Sequence, residues 1–333
     1  MNEPQFDVLT IGNAIVDIIS KCEDDFLVNN EIIKAAMNLI DEDRAEALYA
    51  AMGPAIETSG GSAGNTAAGL ASLGASVAYF GKVADDHLGD VFRHDTRAIG
   101  VHFETESLKD SLNTARSMIF VTPDGERSMN TYLGACTKMT PADVDAEVVG
   151  ASGITYFEGY LWDPEDAKAA IRETARIAHQ HDRKVAMSLS DSFCVDRFRE
   201  EFLELIRTKT VDIVFANDAE VKSLYQTSSF DSAISAIRED CALSIITRGS
   251  EGSTVVTREQ TSQVKAYPIK ELIDTTGAGD LFASGFLFGL ARDFDMETCA
   301  RLGGLCAAEV IQHIGPRPQV SLKQLAEQNG FAV

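Results

Sequence analysis

Six short, almost wholly apolar runs separated by longer stretches of helical period constrain this chain more than any other feature. They are Val8-Leu9-Thr10-Ile11, Val77 to Phe80, Ile154 to Phe157, Val185 to Leu189, Ile213 to Ala216 and Leu243 to Ile246. Runs of that length, apolar on both sides, read as strands buried on both faces. Between them lie amphipathic segments such as 165–181, with Ala169, Ile171, Ala175 and Ala178 expected on the apolar side. Strands of this kind alternating with helices predict an α/β fold with a mainly parallel central sheet covered on both faces. Ligands in such folds bind beyond the carboxyl ends of the strands. With 333 residues, 45% of them apolar, the chain can bury a substantial core in one domain.

Two regions break the alternation. Residues 13–45 and 102–134 carry shorter β-like pieces, at 15–20, 38–40, 115–121 and 128–132, with Pro123-Asp124-Gly125-Glu126 as a hairpin turn. These pieces predict a small sheet projecting from a single domain that spans 1–333. The formal charge of −22 argues against general binding to nucleic acid or a membrane surface. No apolar run approaches the ~18 residues of a membrane span. Six cysteines without a C-x-x-C pair, and a start (Asn2 to Asp7) unlike a signal peptide, predict reduced, mostly buried thiols in a cytoplasmic protein. The histidines, His179 and His181 among them, form no spaced metal-ligand set and are expected at the surface.

The richest chemistry lies in Asp274-Thr275-Thr276-Gly277-Ala278-Gly279-Asp280, followed by an apolar stretch with Gly285 and Gly289. Gly277, Ala278 and Gly279 allow a tight turn whose N–H groups, with a helix N-terminus, form an anion site. Asp280 beside it can accept a proton from an attacking hydroxyl. Phosphoryl transfer to an alcohol follows; the bland alternative is a loop whose aspartate caps a helix. Gly60-Gly61-Ser62-Ala63-Gly64-Asn65 opens a second small-residue helix, where a ligand can approach the backbone and Asn65 can serve hydroxyls, or where helices simply pack closely. Asn217-Asp218-Ala219-Glu220 can hold Mg²⁺ through its waters or form a capping box, and the box is the stronger reading of these four residues by themselves. Thr247-Arg248-Gly249-Ser250-Glu251-Gly252 can cradle phosphates or form an ordinary hairpin. Asp17, near the first strand's end, can bind adjacent hydroxyls, and Arg127 can reach a phosphate as a forked donor; each is otherwise an ordinary surface group. Neither G-x-G-x-x-G after the first strand nor G-x-x-x-x-G-K-[ST] is present.

Taken in order, these segments resemble the ribokinase/PfkB carbohydrate-kinase family over essentially the whole chain. The glycine pair with Asn65 is similar to that family's first signature and 274–280 to its second; 217–220 is similar to its N-x-x-E motif and 247–252 to its phosphate loop. The resemblance implies a ribokinase-like three-layer α/β/α fold whose small β-sheet serves as a lid. It implies Asp280 as the base, with N–H groups of Ala278, Gly279 and Asp280 stabilising the transferred phosphoryl group. Asn217 and Glu220 would organise Mg²⁺, Thr247 to Gly252 (Gly249 included) would hold ATP, and Asp17, Gly60, Gly61 and Asn65 would bind the acceptor. K⁺ is implied around Asp274 and Thr276.

Within the family, Gly12 to Ile18, Gly125-Glu126-Arg127-Ser128 and the segment before Asp41 resemble the adenosine-kinase branch. That likeness implies a nucleoside acceptor, Arg127 facing the transferred phosphate, Ile40 and Leu133 against the base, and Tyr160 and Trp162 as aromatic walls. Gly304 stands where many ribokinases carry an asparagine near ATP, a departure on the adenine side. The expectation is an ATP-dependent kinase for the 5′-hydroxyl of a ribonucleoside, most simply adenosine, acting as a monomer or a lid-mediated homodimer. The alternatives are a kinase for ribose, fructose or a related sugar, and a catalytically idle nucleoside or sugar sensor on the same fold.

Overall fold

The computed structural model describes residues 4–333; Met1, Asn2 and Glu3, at the start read above, lie outside them. Thirteen strands are present among the described residues: β1 (Phe6–Ile11), β2 (Ile15–Lys21), β3 (Met37–Leu39), β4 (Ala55–Ser59), β5 (Val77–Phe80), β6 (Ala115–Val121), β7 (Arg127–Tyr132), β8 (Ser152–Glu158), β9 (Lys184–Ser188), β10 (Ile213–Asn217), β11 (Leu243–Thr247), β12 (Ser253–Thr257) and β13 (Thr261–Val264). Eight form one sheet in the order β13-β12-β11-β10-β9-β8-β1-β5. The six predicted apolar runs are its parallel members, from β5 through β11. β12 and β13 extend one edge antiparallel. Each parallel strand buries both faces: Val8 belongs to the core on one side of the sheet, Leu9 and Ile11 to the core on the other. Helices on the two sides complete three layers.

The first core is built on the helices Ser62–Leu73, Ala278–Ala291 and Met296–Val310. Their glycines set the spacing. A Cβ at Gly285 would come within 2.7 Å of the Gly303 backbone, so those two helices touch backbone to backbone, and one at Gly69 would come within 2.3 Å of Ser284 Oγ. On the other side, Glu165–Gln180 buries Ala167, Ala170, Ile171, Thr174, Ala175, Ile177 and Ala178, whereas Ala169, expected there, faces solvent. Five of the six cysteines are buried.

The remaining strands form a five-stranded sheet, β3-β7-β6-β2-β4, standing on the carboxyl side of the large one. Four of them fall where the sequence placed them. β4, at 55–59, lies outside the expected segments 13–45 and 102–134, so the small sheet also draws on a third stretch of chain. No helix among the described residues is long and apolar enough to cross a membrane.

Candidate active site

The carboxyl ends of β1, β8, β9, β10 and β11, the small sheet and the N-termini of four helices enclose one cavity of about 520 Å³. Asp17, Gly61, Asn65, Asn217, Glu220, Thr247 and all of Thr275 to Asp280 line it, so segments more than 250 residues apart in sequence meet there. A second depression, at the opposite ends of the strands, is lined by Asp7, Lys184, Asp212 and Asp293 among others and holds none of the motif residues.

Asp280 sits in the first turn of Ala278–Ala291. Its Oδ1 accepts from Ser62 Oγ at 2.6 Å and its Oδ2 from Asn65 Nδ2 at 3.0 Å, while its carbonyl accepts from Thr66 Oγ1 at 3.3 Å. Burial pushes the carboxyl up to about 6, against the pull of those two side-chain donors. A base of that strength is mostly ionised at pH 7 and still takes up a proton readily. The turn before it depends on Gly277, at φ +79° with its Cα pressed on Pro316, where a Cβ would lie 2.8 Å from that residue. Ala278 N–H donates back to Thr275 O at 3.2 Å. The helix start leaves the N–H groups of Gly279 and Asp280 without an intrahelical partner, and a Cβ at Gly279 would meet no atom within 4 Å, so the backbone there fronts open space. The N–H groups free to meet an anion are therefore those of Gly279 and Asp280, while that of Ala278 is already taken.

Asp17, from β2, is buried beside Gly60, where a Cβ would meet its Oδ2 at 2.3 Å; no side chain but hydrogen fits there. Burial raises its carboxyl to about 7, opposed by the guanidinium groups of Arg317 and Arg127 and reinforced by Asp280. Gly61, at φ +80°, packs against the Asn13 carbonyl and opens the helix bearing Ser62 and Asn65. Asn65 Oδ1 is buried without a partner among the described residues, an acceptor suited to a hydroxyl.

On the far side of the cavity, Asn217 and Glu220 form the capping box. Asn217 Oδ1 accepts from Glu220 N–H at 2.9 Å and Glu220 Oε2 from Asn217 N–H at 2.8 Å. Glu220 is buried and raised to about 7 by that burial. No group of three or more His, Cys, Asp or Glu among the described residues could hold a metal. The donor set fits a divalent ion carried largely by phosphate and water, with Glu220 reached through water. Thr247 lines the cavity, while Gly249 and Gly252 are outside its lining; Gly252, at φ +92°, closes the β11–β12 hairpin against the Val264 carbonyl. Gly304 lies near Tyr267, outside the lining.

Several expected residues do other work. Arg127 does not line the cavity: it is buried in an ion pair with Asp274, 2.7 Å from Oδ2. Asp274 Oδ2 also accepts from Gly315 N–H, and its Oδ1 from Thr276 N–H and Oγ1 at 3.0 and 2.7 Å. Three hydrogen bonds and an ion pair engage this carboxylate, and in this conformation it serves Arg127 and the loop; the set does not fit K⁺ there. Ile40 packs on the core, while its neighbours on the other face of the strand, Met37 and Leu39, line the cavity with Met129, Leu133 and Tyr160. Trp162 is fully buried, its Nε1 donating to Glu201, and is no wall. The aromatic walls are Phe193 and Phe198, with the Arg197 guanidinium 5.6 and 4.9 Å from their rings. Tyr160 O–H donates to Asp191 Oδ2 at 2.9 Å. Ser62, Glu158, Arg317, Phe193 and Phe198 went unread in the sequence; the one signal available was a carboxylate, Glu158, ending an otherwise apolar strand.

The family model for pfkB family carbohydrate kinases matches residues 29–322. The chain belongs to that family. An adenosine kinase of Sinorhizobium meliloti is 61% identical over 98% of this chain and all of that one, with a TM-score of 0.92. A probable sugar kinase protein from Rhizobium etli CFN 42 is 60% identical over 98% and 99% of the two chains, with a TM-score of 0.93. The adenosine kinase of Saccharomyces cerevisiae is 28% identical over 93% of this chain and 96% of its own length. The family makes the chain a phosphotransferase that acts on an alcohol group.

Proposed function

We propose that this chain is an ATP-dependent kinase that transfers the γ-phosphoryl group to the 5′-hydroxyl of adenosine, giving AMP and ADP. The observation that carries this reading is the two-sided character of the cavity. Asp17, Asn65 and Asp280 gather hydroxyl-binding groups at one place, while Met37, Leu39, Met129, Leu133, Phe193 and Phe198 supply apolar and aromatic wall that a free sugar would not use. The similarity to adenosine kinases supports the same acceptor.

In this mechanism Asp17 and the Gly60–Gly61 backbone hold the ribose hydroxyls, and Asn65 Oδ1 accepts from one of them. The 5′-oxygen then lies beside Asp280. As that oxygen bonds to the γ-phosphorus and the bond to the ADP oxygen breaks, the hydroxyl proton passes to the Asp280 carboxylate. Gly279 and Asp280 N–H groups meet the charge on the transferred oxygens. Glu220, held by Asn217, would reach through water a Mg²⁺ ion brought in with ATP, and that ion would neutralise phosphate charge. Thr247 faces the nucleotide from β11. Arg127 reaches the phosphate by exchanging Asp274 for it as the small sheet closes and water is excluded.

A coupled ADP-release assay with Mg-ATP, run across adenosine, other nucleosides, ribose and fructose with product identification, tests the reading. Saturable turnover with adenosine and formation of AMP are expected. Turnover confined to free sugars would remove the nucleoside acceptor and keep the roles of Asp280 and Asp17. Binding of acceptors without turnover would leave an idle sensor.

A further inference from the structure

We propose that Glu158, a carboxylate on which the mechanism above makes no demand, is the positioning residue for Asp280. It ends β8 with its side chain almost wholly buried in the wall of the cavity, on the acceptor side. Its Oε1 accepts from both the backbone N–H and the side-chain Nδ2 of Asn13, each at 2.8 Å, and its Oε2 from Ala63 N–H at 2.7 Å. Room for it is reserved at Gly12, where a Cβ would lie 2.3 Å from Oε2.

The bond to Ala63 is the informative one. The helix Ser62–Leu73 begins at Gly61, which has no side chain with which to cap it. Glu158 supplies that cap from a strand nearly a hundred residues away, and a carboxylate at a helix N-terminus is favourably placed. The first turn it secures is the turn that grips Asp280: Ser62 Oγ on Oδ1, Asn65 Nδ2 on Oδ2 and Thr66 Oγ1 on the carbonyl. Through Asn13 the same carboxylate also fixes the turn leading into β2, which carries Asp17. One buried group therefore sets the base and the acceptor's hydroxyl ligand relative to each other. Both Glu158 oxygens are held by Asn13 and Ala63, so the effect expected of it is on the placement of Asp280 and hence on the chemical step.

This inference rests on Asp280 being the base. The test is steady-state kinetics of E158Q and E158D, with S62A, the double variant E158Q/S62A and D280N, each normalised to folded protein by thermal melting. In E158Q the amide must turn an NH₂ towards a donor, either Ala63 N–H or Asn13. In E158D the charge remains but the reach to Ala63 is lost. Both are expected to lower kcat roughly 10- to 100-fold, the scale of a misplaced catalytic group, with KM for adenosine and for ATP within about threefold of wild type. The double variant is expected to be little slower than the worse single one, because both changes act through the same grip on Asp280. An unchanged kcat, a rise confined to the KM for adenosine, or full additivity with S62A would overturn the proposal. Should E158Q fail to fold, E158D alone decides it on the same criteria. Should D280N keep near-normal turnover, the assignment of the base fails, independently of what Glu158 does.

Discussion

The acceptor half of the cavity and its nucleotide half are built in opposite ways. Around Asp280, the chain reaches across itself: Ser62, Asn65 and Thr66 hold the aspartate from another helix, Glu158 caps that helix from a strand, and Gly60 leaves room for Asp17. Around Asn217 and Glu220 the contacts are local, a capping box closed within four residues, and the 249–252 turn is not part of the cavity's lining. The acceptor side is therefore held by long-range contacts, and the Asn217–Glu220 side by short-range ones. Preorganisation belongs where charge develops in the transition state, which is the acceptor side.

Changes on the acceptor side should strike kcat, and changes on the nucleotide side should strike KM for ATP. The largest effect is expected for D280N, which should lose roughly 10²–10⁴-fold or more in kcat while calorimetry finds adenosine binding within a few fold of wild type. Next comes G277A. A side chain at φ +79° against Pro316 displaces the anion turn, and kcat should fall roughly 10- to 100-fold. N217A opens the capping box, costing about 1 kcal/mol of stability; KM for ATP should rise roughly tenfold, as for one lost ligand contact of ~1.4 kcal/mol, with KM for adenosine unchanged. Smallest is L39A, which trims the apolar wall; KM for adenosine should rise about fivefold, for ~1 kcal/mol of lost burial, with little change for the I40V exchange behind it. Equal effects of N217A and G277A on both substrates would erase the contrast between the halves.

The pH dependence of stability probes the same half. Asp17, Glu158 and Asp280 have carboxyl groups raised by burial to about 7, 7 and 6, and Glu220, across the cavity, is also raised to about 7. An acid raised on folding contributes stability below its unfolded value, and that contribution is lost as pH rises through the folded one. The contribution from these groups therefore falls between about pH 4 and 7. Above pH 7, D17N should melt at a temperature at or above that of wild type, and the difference should shrink as the pH is lowered to 5; calorimetric melts of both proteins check this.

The parallel strands were legible because burial on both faces leaves no other pattern open to them. β4 and β13 were not, since Ala-Ile-Glu-Thr-Ser and Thr-Ser-Gln-Val are short and polar and sit at sheet edges, where pairing rather than burial defines a strand. At the site, the glycine turns were readable because positive φ and close approach leave a mark in residue type. The wall was read one residue out of step: in a strand, Ile40 and Leu39 face opposite sides, and sequence alone did not show which side was the cavity. Trp162 was misread for a similar reason, since an aromatic residue after a strand looks alike whether it faces a ligand or the core. Glu158 and Ser62 escaped because their partners are distant in sequence, and only the folded chain brings them together. The pairing of Arg127 with Asp274 left no local mark in the sequence, because it depends on a loop some 150 residues away.

The central claim is that Asp280 takes the proton from the 5′-hydroxyl of adenosine in this preformed half-site. The most direct test is adenosine-dependent ADP and AMP formation at saturating Mg-ATP between pH 5 and 8.5, for wild type and D280N. The account predicts a wild-type kcat that is flat above pH 7 and falls about tenfold per unit below pH 6, where protonation removes the base, and residual D280N turnover without that limb. No adenosine-dependent product in the wild type, or the same acid limb and comparable turnover in D280N, would contradict it.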